Sequence, residues 1–501
     1  MQAQFSPQQQ TVIDHIATTA GHTIVSARAG TGKTTTMING VCRAIDPRCS
    51  IAFVAYGKAI ATEAEIKVKN LGLNNVKVST CHSAGFNAYR RIYKSKVENK
   101  KLLQLSRQEF NDQYESWRPF VIRAVEKAKD TGIGIVCPID DTLQWEKIID
   151  KFGLQDLLPE DVSIQQGIDA AIHLLRINNQ TTNVIDFSDM IYMTLFHNIR
   201  IWQYDYVIVD EAQDLNATRR ELVKRMLKPN GKLIAVGDPY QAIFGFTGAD
   251  HDSMDIIKKE FNADVLPLSV TFRCPKAVVT IAKQWVPDIE AHETSPEGLY
   301  DSCELEYIHR LVTPQDVIIC RNTKPLVELA YTLLRQSIAC RVEGRSIGEG
   351  LIKLARRWKR VKNVEELDIK LEEWKKYEIQ KAKEKDDNDR CQSIEDQVGT
   401  LRVFMEQCDG LDSISVLISK IEVLFTDTKS SDEQRVLTLS TIHKSKGREW
   451  NHVFVLGLDT YSPSKWAKSD WELEQEKNLC YVQVTRAKQH LTMVKVPPKQ
   501  K

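Results

Sequence analysis

No stretch of this chain comes near the roughly 20 consecutive apolar residues that a membrane-spanning helix requires, so neither a helical membrane protein nor a membrane partner is indicated. Net charge is nearly absent as well: 68 Lys and Arg against 67 Asp and Glu leave +1. Without a global positive field, a polyanionic partner has to be gripped by a local basic groove and by ring stacking. The eleven cysteines include no C-x-x-C pair, which points away from zinc and disulfides and toward free thiols in a reducing compartment. The opening residues, Met1-Gln2-Ala3-Gln4-Phe5, lack the apolar core of a secretory signal. No solenoid-type repeat and no low-complexity tail is visible. The length of 501 residues admits roughly three or four domains.

What is present begins with Ser26 to Thr34, S-A-R-A-G-T-G-K-T, which follows the apolar run Thr23-Ile24-Val25 and opens a helix-compatible segment. Small residues here, with Ala29, Gly30, Thr31 and Gly32 in the turn, let backbone N–H groups converge on phosphate oxygens at a helix start. Lys33 would then reach the β and γ phosphates of a nucleotide, and the Thr34 hydroxyl would hold Mg²⁺. Ala27 stands where the usual pattern has Gly. A second chemical cluster is Tyr206-Val207-Ile208-Val209 ending in Asp210-Glu211-Ala212-Gln213-Asp214, an apolar strand that delivers paired carboxylates at its carboxyl end. In a doubly wound sheet ligands bind at that edge. Asp210 is placed to hold Mg²⁺ and Glu211 to polarise the water that attacks the γ phosphate.

β-Branched runs at Thr23–Ala27, Ile51–Ala55, Val76–Thr80, Tyr206–Asp210 and Leu233–Gly237 each precede a turn or helical stretch, the signature of a parallel sheet covered on both faces. A second set follows at Val317–Cys320, Val436–Thr441, Val453–Leu456 and Leu491–Val496. The expected fold class is α/β, with two parallel-sheet domains that each carry a mainly helical insertion. The first domain is assigned 1–84 and 184–265, its insertion 85–183, the second domain 266–349 and 431–501, and its insertion 350–430. In the last segment Leu351, Leu354, Trp358 and Val361, then Leu367, Leu371 and Trp374, suggest two amphipathic helices; Ile394, Val398, Leu401 and Met405 form a third periodic stretch. The charged run Lys381–Arg390 between them reads as a solvated helix end or turn.

Further segments, in order, complete a resemblance. They are Phe5-Ser6-Pro7-Gln8-Gln9, Ala55-Tyr56-Gly57-Lys58-Ala59, Thr80-Cys81-His82-Ser83, Asp186-Phe187-Ser188-Asp189, Val236 to Gln241 with Ile243 to Ala249, Leu268 to Cys274, Ile319 to Asn322, Thr441 to Trp450 and Tyr481 to Ala487. With the phosphate cradle and the carboxylate pair, this ordered set resembles superfamily 1 DNA helicases of the UvrD/Rep/PcrA type. The resemblance implies two RecA-like domains with the nucleotide cleft between them. It implies that Gln9 reads adenine, Phe272 stacks on it, Glu449 accepts from the ribose and Gln241 senses the γ phosphate. It also implies that Arg273 and Arg486 act as arginine fingers, a device worth roughly 10³ to 10⁵ in rate.

Single-stranded DNA contacts implied by the same resemblance fall on Tyr56, Lys58, His82, Ser83, Phe187, Phe246 and His443. Base stacking in such sites is worth roughly 1 to 3 kcal/mol per base and tolerates any sequence. Phe246 stands where the family commonly has Trp, Thr247 where it has Arg, and Thr35 also replaces a frequent Arg. The implied activity is ATP-dependent 3′-to-5′ movement on single-stranded DNA, coupled to unwinding in replication, repair or recombination. Two alternatives stand beside it: a strand translocase without intrinsic unwinding, and an RNA-directed enzyme of the same superfamily. The expected setting is a monomer in the cytoplasm of a bacterial or phage-infected cell, acting on single strands and strand/duplex junctions with replication or repair proteins as partners.

Overall fold

A computed structural model describes residues 5–110, 115–159, 161–245, 252–358, 360–383, 388–425, 436–467 and 470–497. The chain divides into two compact units, 1–269 and 270–501. Both are α/β, and each is built on a six-stranded sheet in which every pairing is parallel, as the strand-turn-helix alternation predicts.

In the first unit the strands are β1 (Thr23–Ala27), β2 (Ile51–Ala55), β3 (Val76–Thr80), β4 (Tyr204–Val209), β5 (Leu227–Gly237) and β6 (Asp264–Leu268), in the order β3-β2-β4-β5-β1-β6. Alternate residues serve two cores. Ile24, Val54, Val207, Val209 and Ala235 pack with the inserted helices, whereas Val25, Phe53, Ile208, Ile234 and Val236 pack with Val12, Ile38 and Val41 on the opposite face. A strand buried on both faces has no polar alternation, which is why these segments read as continuous apolar runs. Edge strand β6 carries Pro267 and exposed residues, so it lacks that signal; proline is tolerated there because an edge leaves an N–H unpaired anyway.

Between β3 and β4 the chain is mainly helical, with helices Lys101–Glu109, Arg118–Thr131, Thr142–Lys151 and Ile164–Gln180 and one short strand pair, Lys96–Val97 with Val184–Ile185. These helices are tied to the D-F-S-D segment by buried charges. Lys129 Nζ lies 2.7 Å from carboxylate oxygens of both Asp186 and Asp189, and Lys101 Nζ lies 2.8 Å from Asp189. Asp189 Oδ1 also accepts from the Asn178 amide at 3.2 Å. Although burial opposes it, the two ammonium groups hold the Asp189 carboxyl below its ordinary range.

The second unit contains β7 (Leu299–Glu304), β8 (Val317–Cys320), β9 (Cys340–Val342), β10 (Leu437–Thr441), β11 (Trp450–Leu456) and β12 (Ala487–Lys495), ordered β7-β12-β11-β8-β10-β9. Both edges, β7 and β9, escape sequence reading: β7 is mostly exposed and rich in polar residues, and β9 is only three residues long. Four helices, Arg345–Ala355, Val364–Lys383, Asn388–Met405 and Ile414–Leu424, lie between β9 and β10. The first stops at Ala355, short of Trp358 and Val361, and the last was not expected because its sequence is apolar on nearly every face. Leu367, Leu401 and Leu417 from these helices share a core with Ile318, Leu439 and Phe454 of the sheet. Residues 384–387 of the charged run lie outside the described residues. Among the described residues no helix is long and apolar enough to cross a membrane, and all eleven cysteines are free thiols.

Removing one partner of a buried charge set strands the others. Lys129→Met is therefore expected to lower the unfolding free energy of the first unit by about 3–5 kcal/mol in chemical denaturation. Lys67→Ala, which breaks an exposed i,i+4 pair with Glu63, should change it by less than about 0.5 kcal/mol.

Candidate active site

The parallel arrangement places the carboxyl ends of β1, β2, β4 and β5 on one edge of the first sheet. After β1 the backbone turns through Gly30 and Gly32, both left-handed at φ +73° and +75°, and becomes helical at Lys33. The helix runs to Ala44 with one wide turn over Thr36–Val41. A side chain at position 32 would carry backbone strain, and its Cβ would lie 3.0 Å from Gln9 Nε2. Thr31, fully buried, donates its hydroxyl to the Arg28 carbonyl at 3.0 Å.

Four sequence-assigned residues meet at this turn. Lys33 Nζ lies 3.0 Å from Glu211 Oε2, and the Thr34 hydroxyl donates to Asp210 Oδ2 at 3.2 Å. Burial alone would lower the Lys33 pKa, but the carboxylates of Glu211, Asp210 and Asp238 hold it above its ordinary value. Burial and the adjoining Glu211 push the Asp210 carboxyl up to about 6. Glu211 adopts φ +55°, a left-handed conformation that costs a non-glycine residue of order 1 kcal/mol and is concentrated at functional sites.

Gln213 and Asp238 extend the set. Gln213 Nε2 donates to Glu211 Oε2 at 2.6 Å, its Oε1 accepts from the Asp238 N–H at 3.1 Å, and Gln241 Nε2 donates to Asp238 Oδ2 at 2.7 Å. A Cβ on Gly237 would lie 2.3 Å from Gln213 Oε1, so this brace needs glycine at the end of β5. Arg28 lies 4.0 Å from Asp238 and sits over the Tyr240 ring. Sequence reading assigned no role to Gln213, Asp238 or Arg28. The available signal was a carboxylate ending β5, the same position that Asp210 holds after β4.

Gln9 lies beside the phosphate turn. Its Nε2 donates to the Thr31 carbonyl at 3.1 Å, and its Oε1 accepts from Ser6 N–H at 3.0 Å, completing a capping box for helix Pro7–Thr18. Ala29 is buried within the same turn. Among the described residues no group of three or more His, Cys, Asp or Glu forms a metal cage. One hydroxyl and one buried carboxylate suit a cation that completes its shell with phosphate oxygens and water, the habit of Mg²⁺.

A second group lies along the ends of β2 and β3. The Tyr56 ring is nearly parallel to Phe244 at 6.1 Å. Lys58 is exposed at the start of helix Lys58–Asn70. His82 stacks on Phe187 at 3.9 Å, and Ser83 is exposed one residue further on. Phe187 is 55% exposed, because its flanking Asp186 and Asp189 are anchored inward. Burial, with the Arg219 cation nearby, lowers the His82 pKa to about 4, so its imidazole is neutral at neutral pH. Phe246 and Thr247 lie outside the described residues.

The remaining assigned residues belong to the second unit. Arg273 pairs with Glu449, and its Nη1 donates to the Thr485 carbonyl at 3.5 Å. Lys488 also approaches Glu449, at 3.6 Å. Arg486 is 1% exposed; it donates to the carbonyls of Val482 and Arg448 at 2.9 and 3.3 Å. Phe272 is 45% exposed beside His292, with ring centroids 4.7 Å apart. His443 is half-buried in the short helix Ile442–Ser445. Arg321 makes a two-pronged contact with Glu476 at 2.8 and 3.0 Å, which fixes the loop after β8.

A glycine turn bearing Lys33 and Thr34, a carboxylate pair and a second parallel-sheet unit bearing arginines fit a nucleotide-dependent motor class. Family models for the UvrD/REP helicase N-terminal domain and the UvrD-like helicase C-terminal domain match residues 5–262 and 173–497. The chain belongs to the UvrD-like helicases. It is 25% identical over 507 residues to a probable DNA helicase of Mycoplasma pneumoniae, covering 95% of this chain and 81% of the relative. The F-box DNA helicase protein 1 of Schizosaccharomyces pombe is 24% identical over 94% of this chain, which spans 55% of that relative. The ATP-dependent DNA helicase Rep of Buchnera aphidicola is 26% identical over 54% of this chain and 43% of its own length.

Two outcomes are expected. Gly32→Ala should raise the KM for ATP about tenfold, from a left-handed penalty of roughly 1–2 kcal/mol, while the circular dichroism spectrum stays unchanged. Any loss of strand affinity caused by His82→Ala should be equal at pH 6 and pH 8, because the native imidazole is neutral at both. A loss growing toward pH 6 would show a charged His82.

Proposed function

We propose that this chain is an ATP-driven DNA helicase or translocase that moves 3′-to-5′ along single-stranded DNA and engages strand/duplex junctions during replication, repair or recombination. The observation that carries the reading is the meeting of Lys33, Thr34, Asp210 and Glu211 at the ends of β1 and β4. Relatives named as DNA helicases support the substrate, and the polarity rests on family membership.

In this reading Lys33 exchanges Glu211 for the β and γ phosphate oxygens of ATP, and backbone N–H groups from Ala29 to Lys33 cradle the same anion. Thr34 and Asp210 would hold Mg²⁺, which when bound would neutralise charge on the phosphate oxygens. Glu211, released from Lys33 and steadied by Gln213, orients the attacking water and accepts its proton. Gln241 reports the γ phosphate to Asp238. Arg273 and Arg486 supply guanidinium charge to the transition state, Phe272 stacks on adenine, Gln9 reads the base edge and Glu449 accepts from the ribose. Tyr56, Lys58, His82, Ser83, Phe187 and His443 hold the strand by ring contacts and phosphate hydrogen bonds, and Phe246 joins them by family resemblance. Motion follows if ATP favours one arrangement of the grip and its hydrolysis another.

ATP turnover measured with single-stranded DNA, single-stranded RNA or neither tests this reading. DNA should stimulate turnover strongly, and Lys33→Ala should reduce it by at least about 100-fold. Duplexes with a 3′ single-stranded tail should be displaced and those with only a 5′ tail should not. Stimulation without displacement would select the translocase alternative, and stimulation by RNA alone would contradict a DNA enzyme.

A further inference from the structure

Arg219 stands on helix Ala217–Arg225, which begins directly after the Asp210–Asp214 carboxylate segment. Asn216 caps that helix by accepting from Arg219 N–H at 2.9 Å. The guanidinium then extends across the sheet edge, where it lies 5.3 Å from the centroid of the Tyr56 ring, acts electrostatically on the Tyr56 hydroxyl, and donates to the Asp214 carbonyl at 3.4 Å. It is also close enough to Cys81 and His82 to act on both electrostatically. A small cavity is lined by Val54, Tyr56, Cys81, His82, Asp210 and Arg219, so one space joins the nucleotide carboxylate to two of the proposed strand contacts.

A salt bridge would account for a largely buried arginine without further function. The Asp130 carboxylate, which accepts from the Asn216 amide at 3.1 Å, acts on this guanidinium through space, but among the described residues the two form no ion pair. Its direct contacts are a ring face and a peptide carbonyl, which fix geometry more than they neutralise charge.

We propose that Arg219 is a positioning residue for strand binding: it holds Tyr56 against the His82 end of the neighbouring helix and thereby sets how tightly a single strand is gripped when it stimulates the nucleotide site. This inference rests on the strand-stimulated activity proposed above. Arg219 acts through Tyr56 and touches neither nucleotide nor reacting atoms.

The test is strand-stimulated ATP turnover of the full chain with oligo(dT), comparing wild type, Arg219→Gln, Arg219→Lys, Tyr56→Phe and the double variant Arg219→Gln/Tyr56→Phe. Arg219→Gln should raise the strand concentration giving half-maximal stimulation about tenfold, with the KM for ATP changed less than about twofold. Arg219→Lys should recover part of that loss, and the double variant should be no worse than Arg219→Gln, since both act on one contact. An unchanged half-saturating concentration in folded Arg219→Gln, a matching rise in the KM for ATP, or losses that multiply in the double variant would each overturn the proposal. Should Arg219→Gln fail to fold, Arg219→Lys carries the test alone: a rise of about threefold or more with the KM for ATP unchanged supports it, and no rise overturns it. Wild-type turnover indifferent to any strand would instead overturn the functional reading beneath it.

Discussion

Everything at the edge of the first sheet depends on the electrostatic balance among Lys33, Asp210, Glu211 and Asp238. The Lys33 ammonium, with the Arg28 guanidinium 4.0 Å from Asp238, faces three carboxylates in a largely buried setting, and Asp210 and Asp238 both have raised pKa values because burial penalises their charged forms. Such a cluster is tolerable because Thr34, Gln213, Gln241 and backbone N–H groups satisfy its oxygen atoms. Its excess negative charge is what a bound divalent cation would offset, and its single ammonium is what a triphosphate would recruit. The left-handed Glu211 is the local strain at which this convergence is held, whereas glycine lets Gly30 and Gly32 take the same conformation without strain.

The same edge organises the residues proposed to bind the strand. Parallel strands deliver consecutive loops to one line, so Tyr56 after β2 and His82 after β3 fall beside Asp210 after β4. Charges buried deeper, Lys129 and Lys101 with Asp186 and Asp189, lock the inserted helices to the sheet and turn Phe187 outward toward His82. Structure and function share the D-F-S-D segment: its aspartates serve the core and its phenylalanine serves the surface.

Central strands and the convergence of Lys33, Thr34, Asp210 and Glu211 were legible from sequence because both obey local rules. β-Branched runs buried on two faces are continuous, and Gly-Lys-Thr after such a run carries its phosphate chemistry in three adjacent residues. Edge strands β6, β7 and β9 were not legible, since exposure removes the apolar signal. The Arg273–Glu449 pair was also hidden: each residue was assigned by resemblance to a different part of the nucleotide, whereas within the second unit they bind one another. Gln213, Arg28 and Arg219 went unassigned because their roles arise from contacts between loops distant in sequence, which no local spacing encodes.

The most direct test of the account is a structure of the full chain with a non-hydrolysable ATP analogue and Mg²⁺. The account predicts Lys33 Nζ within hydrogen-bond distance of the β and γ phosphate oxygens, no longer bonded to Glu211, with Thr34 and Asp210 on the metal. A structure in which Lys33 still holds Glu211 while the triphosphate is bound elsewhere would contradict it.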